Sequence, residues 1–228
     1  MKPGDGKPVG KILRLIGKDL GFSYRGWHRD RRQKWEARRS EPFKSLIGSV
    51  LSARNRDERT AITVEKLFSR YDTPERIANA PLGKIESLIR SSNFYRTKAR
   101  RVKEIGRIIH ERYNGRVPDD MDRLLELPGV GRKIAGIIMT YTFGRGVSIP
   151  VDTHVHRVAN RIGLVKTRTP EKTEQELMKI VPRKDWIIVN ELFVSFGKKT
   201  CKPIGPRHVD CLVRDYCDCY RNLKDKAL

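Results

Sequence analysis

The sequence predicts an all-α fold, and three observations carry that expectation. Apolar residues recur at helical spacing from Pro42 to Phe143 almost without a break. Cap and stop signals punctuate the pattern at helix-sized intervals. Runs of alternating apolar and polar residues, the mark of a half-buried strand, are nearly absent, so strands should be few.

Taken in chain order, a first helix is expected from Lys11 to Leu20, where Ile12, Leu13, Leu15, Ile16 and Leu20 have compatible spacing. A basic segment, Arg25 to Arg39, follows with Trp27 and Trp35 set among arginines. Two readings stand there: a solvated arm whose tryptophans pack on the body, or an arm that tracks DNA. Phe43, Leu46, Ile47, Val50 and Leu51 form one apolar stripe; Ile62, Val64, Leu67 and Phe68 form the next. Thr73-Pro74-Glu75 reads as an N-cap with proline at the first helical position, and Thr169-Pro170-Glu171 repeats the device. Val102, Ile105, Ile108 and Ile109 mark an amphipathic helix that ends near Asn114-Gly115.

One stretch is more specific. In Leu124-Leu125-Glu126-Leu127-Pro128-Gly129-Val130-Gly131-Arg132-Lys133-Ile134-Ala135-Gly136, one helix ends and another begins across a turn bracketed by Gly129 and Gly131. The hairpin is expected to be too tight for side chains at both glycines. Its outward amides, beside the positive end of the next helix, would accept a phosphate.

Composition agrees with a polyanionic partner. Among 228 residues, 49 Lys and Arg face 27 Asp and Glu, a formal charge of +22 that draws nucleic acid without any specific site. An anionic membrane surface would compete for such a charge, but no apolar run approaches the ~20 residues that span a bilayer. The N-terminus also lacks the apolar block of a signal peptide, so a soluble cytoplasmic, nucleoid-associated protein without a membrane partner is expected. Cys201, Cys211, Cys217 and Cys219 all fall in the last 28 residues. Four thiols gathered so closely point to metal or cluster ligation rather than disulfides.

The hairpin and a second segment, Ile149-Pro150-Val151-Asp152-Thr153-His154-Val155, together resemble the helix-hairpin-helix DNA glycosylase family that includes endonuclease III. The resemblance runs from about Pro42 to Tyr220. It implies two helical domains flanking a DNA-binding groove: a six-helix barrel with the helix-hairpin-helix at 35–146, and a discontinuous domain, 1–34 with 147–228, that ends in an iron–sulfur cluster loop. It also implies a monomer acting on double-stranded DNA at damaged bases, oxidised pyrimidines foremost, and at abasic sites.

The family's catalytic lysine and aspartate match Lys133 and Asp152, which lies nineteen residues further on. Lys133 stands beside Arg132 at the start of an otherwise apolar helix, where low dielectric and a neighbouring cation both work against the ammonium form. A lysine nucleophile yields a Schiff base and then β-elimination, so the enzyme would be both glycosylase and lyase. The plainer alternative for Lys133 is an exposed phosphate contact, and for Asp152 a helix cap alone.

The DNA contacts implied are Gly129, Gly131, Arg132 and His154, with Lys202 and Arg207 on the cysteine loop. Two hole-filling loops match Leu51–Asp57 and Asn93–Ala99, with Arg54 where the family usually has glutamine and Phe94 as an apolar wedge. Core packing is the alternative for Phe94. The family's cluster spacing is C-x6-C-x2-C-x5-C. Cys201, Cys211 and Cys217 fit its first, third and fourth places, but His208 holds the second. A 4Fe-4S cluster completed by His208, one completed by Cys219, and a site weakened or taken by zinc all stay open.

Three rivals to the oxidised-pyrimidine reading are an adenine glycosylase, a thymine- or uracil-mismatch glycosylase, and a non-catalytic helix-hairpin-helix module. The first usually carries a glutamate in the stretch that is Phe43–Leu51 here, which has no carboxylate. The last has no use for the pair Lys133 and Asp152.

Overall fold

The computed structural model describes residues 6–22 and 35–225. Trp27 and the 25–34 part of the basic segment lie outside the described residues. The helices are α1 (Val9–Asp19), α2 (35–40), α3 (Pro42–Ser52), α4 (Asp57–Phe68), α5 (Pro74–Asn79), α6 (Leu82–Leu88), α7 (Tyr95–Tyr113), α8 (Met121–Leu125) and α9 (Arg132–Ile137). After a π-helical turn at Ile138–Thr142 come α10 (Thr153–Ile162), α11 (Pro170–Ile180), α12 (Trp186–Lys199) and α13 (Asp218–Lys224). No strand occurs among the described residues. Among them, too, no helix is long and apolar enough to cross a membrane. The chain divides into two compact units, with boundaries at Gln33/Lys34 and Arg145/Gly146.

In the unit 34–145, α7 is the central member and packs against α3, α5 and α6. Its stripe Val102, Ile105, Ile108 and Ile109 is buried, as are Phe43, Leu46, Ile47, Val50 and Leu51 of α3. Each such side chain contributes ~1.5–3 kcal/mol by leaving water. Thr73 caps α5 by accepting from Arg76 N–H at 3.2 Å. Helix α7 closes at Asn114, in the left-handed conformation that asparagine tolerates.

The α4 stripe departs from expectation, since Ile62 is 56% exposed and Thr63 takes the buried place. The threonine is tolerated there because its hydroxyl is satisfied, 2.7 Å from Arg59 O and 3.0 Å from Ser91 Oγ. Trp35 packs on the body, its ring 5.8 Å from that of Tyr141 in the π turn.

In the other unit, α10 packs against α11, α12 and α13, and α1 lies on α12. Helix α1 begins at Val9, two residues before the expected start, because the Pro8 carbonyl accepts from both Lys11 and Ile12 amides. Thr169 caps α11 through Lys172 N–H at 3.3 Å. Lys7 ties the N-terminal segment to the C-terminal loop, donating to Ile162 O at 2.6 Å, Tyr216 O at 2.6 Å and Asp218 Oδ1 at 2.7 Å. Gly163 ends α10 at φ +81°, and a Cβ there would run into the Asp218 carboxylate, so glycine is strongly favoured.

Candidate active site

Three buried apolar residues, Leu124, Leu127 and Val130, anchor the hairpin between α8 and α9. The Val130 amide closes the turn on Leu127 O at 3.0 Å. Gly129 sits at φ +82°, and a Cβ there would lie 2.7 Å from Arg101 Cδ. The expectation for Gly131 needs correction. Its backbone is extended, it stands at the N-cap of α9, and nothing lies within 4 Å of a built Cβ. A side chain there would meet no protein atom and would stand in open space beside the turn.

Arg132 is exposed, and Lys133 is half-buried in the first turn of α9. The Lys133 amine has no hydrogen-bond or ion-pair partner among the described residues. Helix α9 buries Ala135 and Gly136 and then widens into the π turn, whose five residues are all buried. The apolar stretch expected after Lys133 is thus helical, but it is not one uniform α-helix. Such π turns recur at functional sites.

Asp152 is held in the other unit by what precedes it. Ile149 and Val151 are buried, and Asn190 of α12 donates to Pro150 O at 2.7 Å. The Asp152 carboxylate caps α10, its Oδ1 accepting from His154 N–H at 2.8 Å and Val155 N–H at 2.9 Å. Both capping bonds use one oxygen, so Oδ2 keeps its acceptor capacity. His154 is half-buried, with Nδ1 3.2 Å from Arg157 Nη2 and close to Gly197.

Phe94 is 61% exposed, which removes core packing as its role. It is also left-handed, at φ +58°, and so is Arg54, at φ +56°. This conformation costs a residue with a side chain about 1–2 kcal/mol, and it persists only where neighbours enforce it. The Arg54 guanidinium lies over the Phe94 ring, 5.6 Å from its centroid. Sequence reasoning missed Lys98, a buried lysine on α7 with three hydrogen bonds. Its one local signal was a lysine beside Ala99 and four residues before Val102, on the apolar face.

Cys201, His208, Cys211 and Cys217 line one cavity, along with Ile162, Phe196 and Val213. Cys219, in the first turn of α13, does not line it. Burial pushes the Cys211 thiol up to about 11 and raises the Cys217 thiol as well. Among the described residues, no three His, Cys, Asp or Glu side chains converge on a point that a single metal ion would occupy. Three thiols and an imidazole around one cavity are donor types found in iron–sulfur centres. Lys202 is exposed on the same loop, whereas Arg207 pairs with Asp210 at 3.1 Å.

Comparison with known proteins bears on these features. The family described as HhH-GPD superfamily base excision DNA repair protein matches residues 47–183. The chain is 47% identical over 182 residues to endonuclease III of Thermotoga maritima, across 80% of this chain and 85% of that protein. Its structure is similar to that of a trapped endonuclease III–DNA covalent intermediate, with a TM-score of 0.81 and 32% identity over 95% of this chain and 97% of the other. It is also similar to a thermostable thymine-DNA glycosylase, with a TM-score of 0.79 and 25% identity over 95% and 100% of the two chains. With a glycine hairpin followed by a half-buried lysine, and an aspartate at the head of α10, this chain belongs to the endonuclease III family of the HhH-GPD superfamily of base excision DNA repair proteins.

Proposed function

We propose that this chain removes damaged bases, oxidised pyrimidines foremost, from double-stranded DNA and then cuts the abasic strand, with Lys133 as nucleophile. The observation that carries the reading is the Lys133 side chain: half-buried, in the turn after the hairpin, with no partner among the described residues. The Gly129 and Gly131 amides and the exposed Arg132 hold phosphate beside it. The Lys133 amine attacks the anomeric carbon, and the N-glycosidic electron pair leaves with the base. The sugar ring opens to a Schiff base. The proton on the neighbouring carbon is then acidic, and its loss expels the 3′ phosphate; water finally releases the lysine. Asp152 caps α10 with Oδ1 and has Oδ2 to stabilise positive charge on the sugar or to relay a proton.

Extrusion of the damaged nucleotide leaves a hole that Arg54 and Phe94 fill, the arginine also donating to the orphaned base. Cys201, His208, Cys211 and Cys217 would hold a 4Fe-4S cluster on the loop that carries the exposed Lys202, which contacts a phosphate. The protein works as a monomer, wherever the cell keeps its DNA.

Borohydride trapping tests the reading on duplexes carrying thymine glycol, uracil, a thymine–guanine mismatch or 8-oxoguanine. Trapping should be strongest with thymine glycol. Lys133→Ala should abolish it while damaged-duplex binding stays within about tenfold, because the hairpin amides remain. Undiminished trapping in that variant would assign the nucleophile to another amine. A mismatch cleaved in preference to thymine glycol would overturn the substrate assignment.

A further inference from the structure

Lys98 has no part in the chemistry above, yet its side chain is almost wholly enclosed, at 4% exposure. Its ammonium donates to Leu51 O at 2.8 Å, Ala53 O at 2.7 Å and Ser92 Oγ at 2.9 Å. The first two acceptors lie where α3 runs out into the Arg54 loop, and carbonyls at a helix end have no partner of their own. The third belongs to the loop that presents Phe94. Asn55 spans the same gap, donating to Leu51 O at 3.0 Å and Ser92 Oγ at 2.7 Å, while its Oδ1 accepts from Asn93 N–H at 2.9 Å. Asn93 reaches back, its amide donating to Arg54 O at 2.6 Å.

We infer that Lys98 is a positioning residue: its ammonium, with Asn55 and Asn93, locks the Arg54 and Phe94 loops into one preassembled wedge. The inference rests on the reading of those two residues as hole-fillers. Two facts support it independently. Arg54 and Phe94 both hold left-handed backbone that their side chains disfavour, which requires surroundings that enforce it. Their side chains also stack on each other, cation over ring, although they come from separate loops. A wedge fixed in advance loses no loop entropy when it enters the stack.

The test reads unstacking directly, with 2-aminopurine placed beside thymine glycol in a duplex, and rates on that duplex are compared with trapping on a pre-formed abasic site. Lys98→Met and Asn93→Ala should each lower the fluorescence rise and slow paired-lesion excision by about tenfold, while abasic-site trapping changes by less than about threefold. In an Arg54→Ala, Phe94→Ala background, adding Lys98→Met should cause no further loss on the paired lesion, because the lock would then have no wedge side chain to position. Equal losses on both substrates, a further loss in that doubly substituted background, or unaltered fluorescence in both lock variants would overturn the inference. Should Lys98→Met fail to fold by circular dichroism, Asn93→Ala at an exposed site carries the same comparison. Wild-type protein that unstacks 2-aminopurine but forms no Schiff base would refute the catalytic reading and leave the lock standing. No unstacking by wild-type protein would overturn wedge and lock together.

Discussion

Replacing Asp152 by asparagine separates the two tasks assigned to that residue. Both capping amides are taken by Oδ1, at 2.8 and 2.9 Å. Asparagine offers an equivalent oxygen and caps helices about as well as aspartate. Complete loss of the cap, in Asp152→Ala, should cost ~0.5–2 kcal/mol, or about 1–8 °C in Tm for a chain of this size. Asp152→Asn should shift Tm by less than about 2 °C. Chemistry should respond very differently. The second oxygen becomes an amide nitrogen, which neither carries negative charge nor accepts a proton. Loss of such help at a reacting centre slows the step by ~100-fold or more, about 2.7 kcal/mol in the barrier. The assay is single-turnover release of thymine glycol at saturating enzyme, with duplex affinity and thermal unfolding measured on the same preparations. Turnover within threefold of wild type, with the fold intact, would remove Asp152 from the chemistry. An equal fall in Tm for Asn and Ala would refute the claim that one oxygen does all the capping.

The other expected outcomes concern the metal loop and the buried lysine. Gly163→Ala forces a Cβ into Asp218 on a left-handed backbone and displaces Asp218 from Lys7, so it should destabilise the protein by ~3 kcal/mol and lower its iron content; an unchanged Tm would sink this account. Iron should be lost in His208→Ala and kept in Cys219→Ala, because only the histidine lines the cavity; the reverse pattern assigns the fourth ligand to Cys219, and zinc without iron in wild-type protein refutes the cluster. Burial, and then the Arg101 guanidinium, bring the Lys98 amine down to about 8 from 10.5. Between those values the unfolded chain binds the extra proton, so this group's contribution to stability rises with pH, while the neutral amine keeps only two of its three donors. The ratio of paired-lesion to abasic-site rates should therefore fall between pH 7 and 9 in wild type and stay flat in Lys98→Met; parallel profiles in the two proteins would refute the link to Lys98.

Much of the fold could be read from local pattern, because the determinants are local. Thr73 and Thr169 lie three residues from the amides they cap, and the stripe of α7 is set by 3.6-residue periodicity alone. Ile62 shows where that reading fails. A window that scores hydrophobicity places isoleucine inside and threonine outside, yet the hydroxyl of Thr63 finds both an in-helix carbonyl and Ser91, a residue 28 positions away. Only the second partner is tertiary, and it is the one that periodicity could not supply.

The candidate site divides along the same line. Lys133, Asp152 and the hairpin glycines sit in two short contiguous motifs, so residue types and spacing expose them as candidates. The lock does not. The acceptors of Lys98 come from residues 51, 53 and 92, up to 47 positions away, and no spacing rule joins them. Nor does sequence signal that Arg54 and Phe94 are left-handed, because a bulky side chain argues against that conformation at both positions. Local preference yields there to an enforced geometry, and it yields at the two residues proposed to enter the DNA stack. Natural chains keep such conflicts mainly where function requires them. On the proposed reading, Arg54 and Phe94, strained and exposed, with a buried ammonium behind them, mark the part of this protein whose shape answers to its task rather than to its folding.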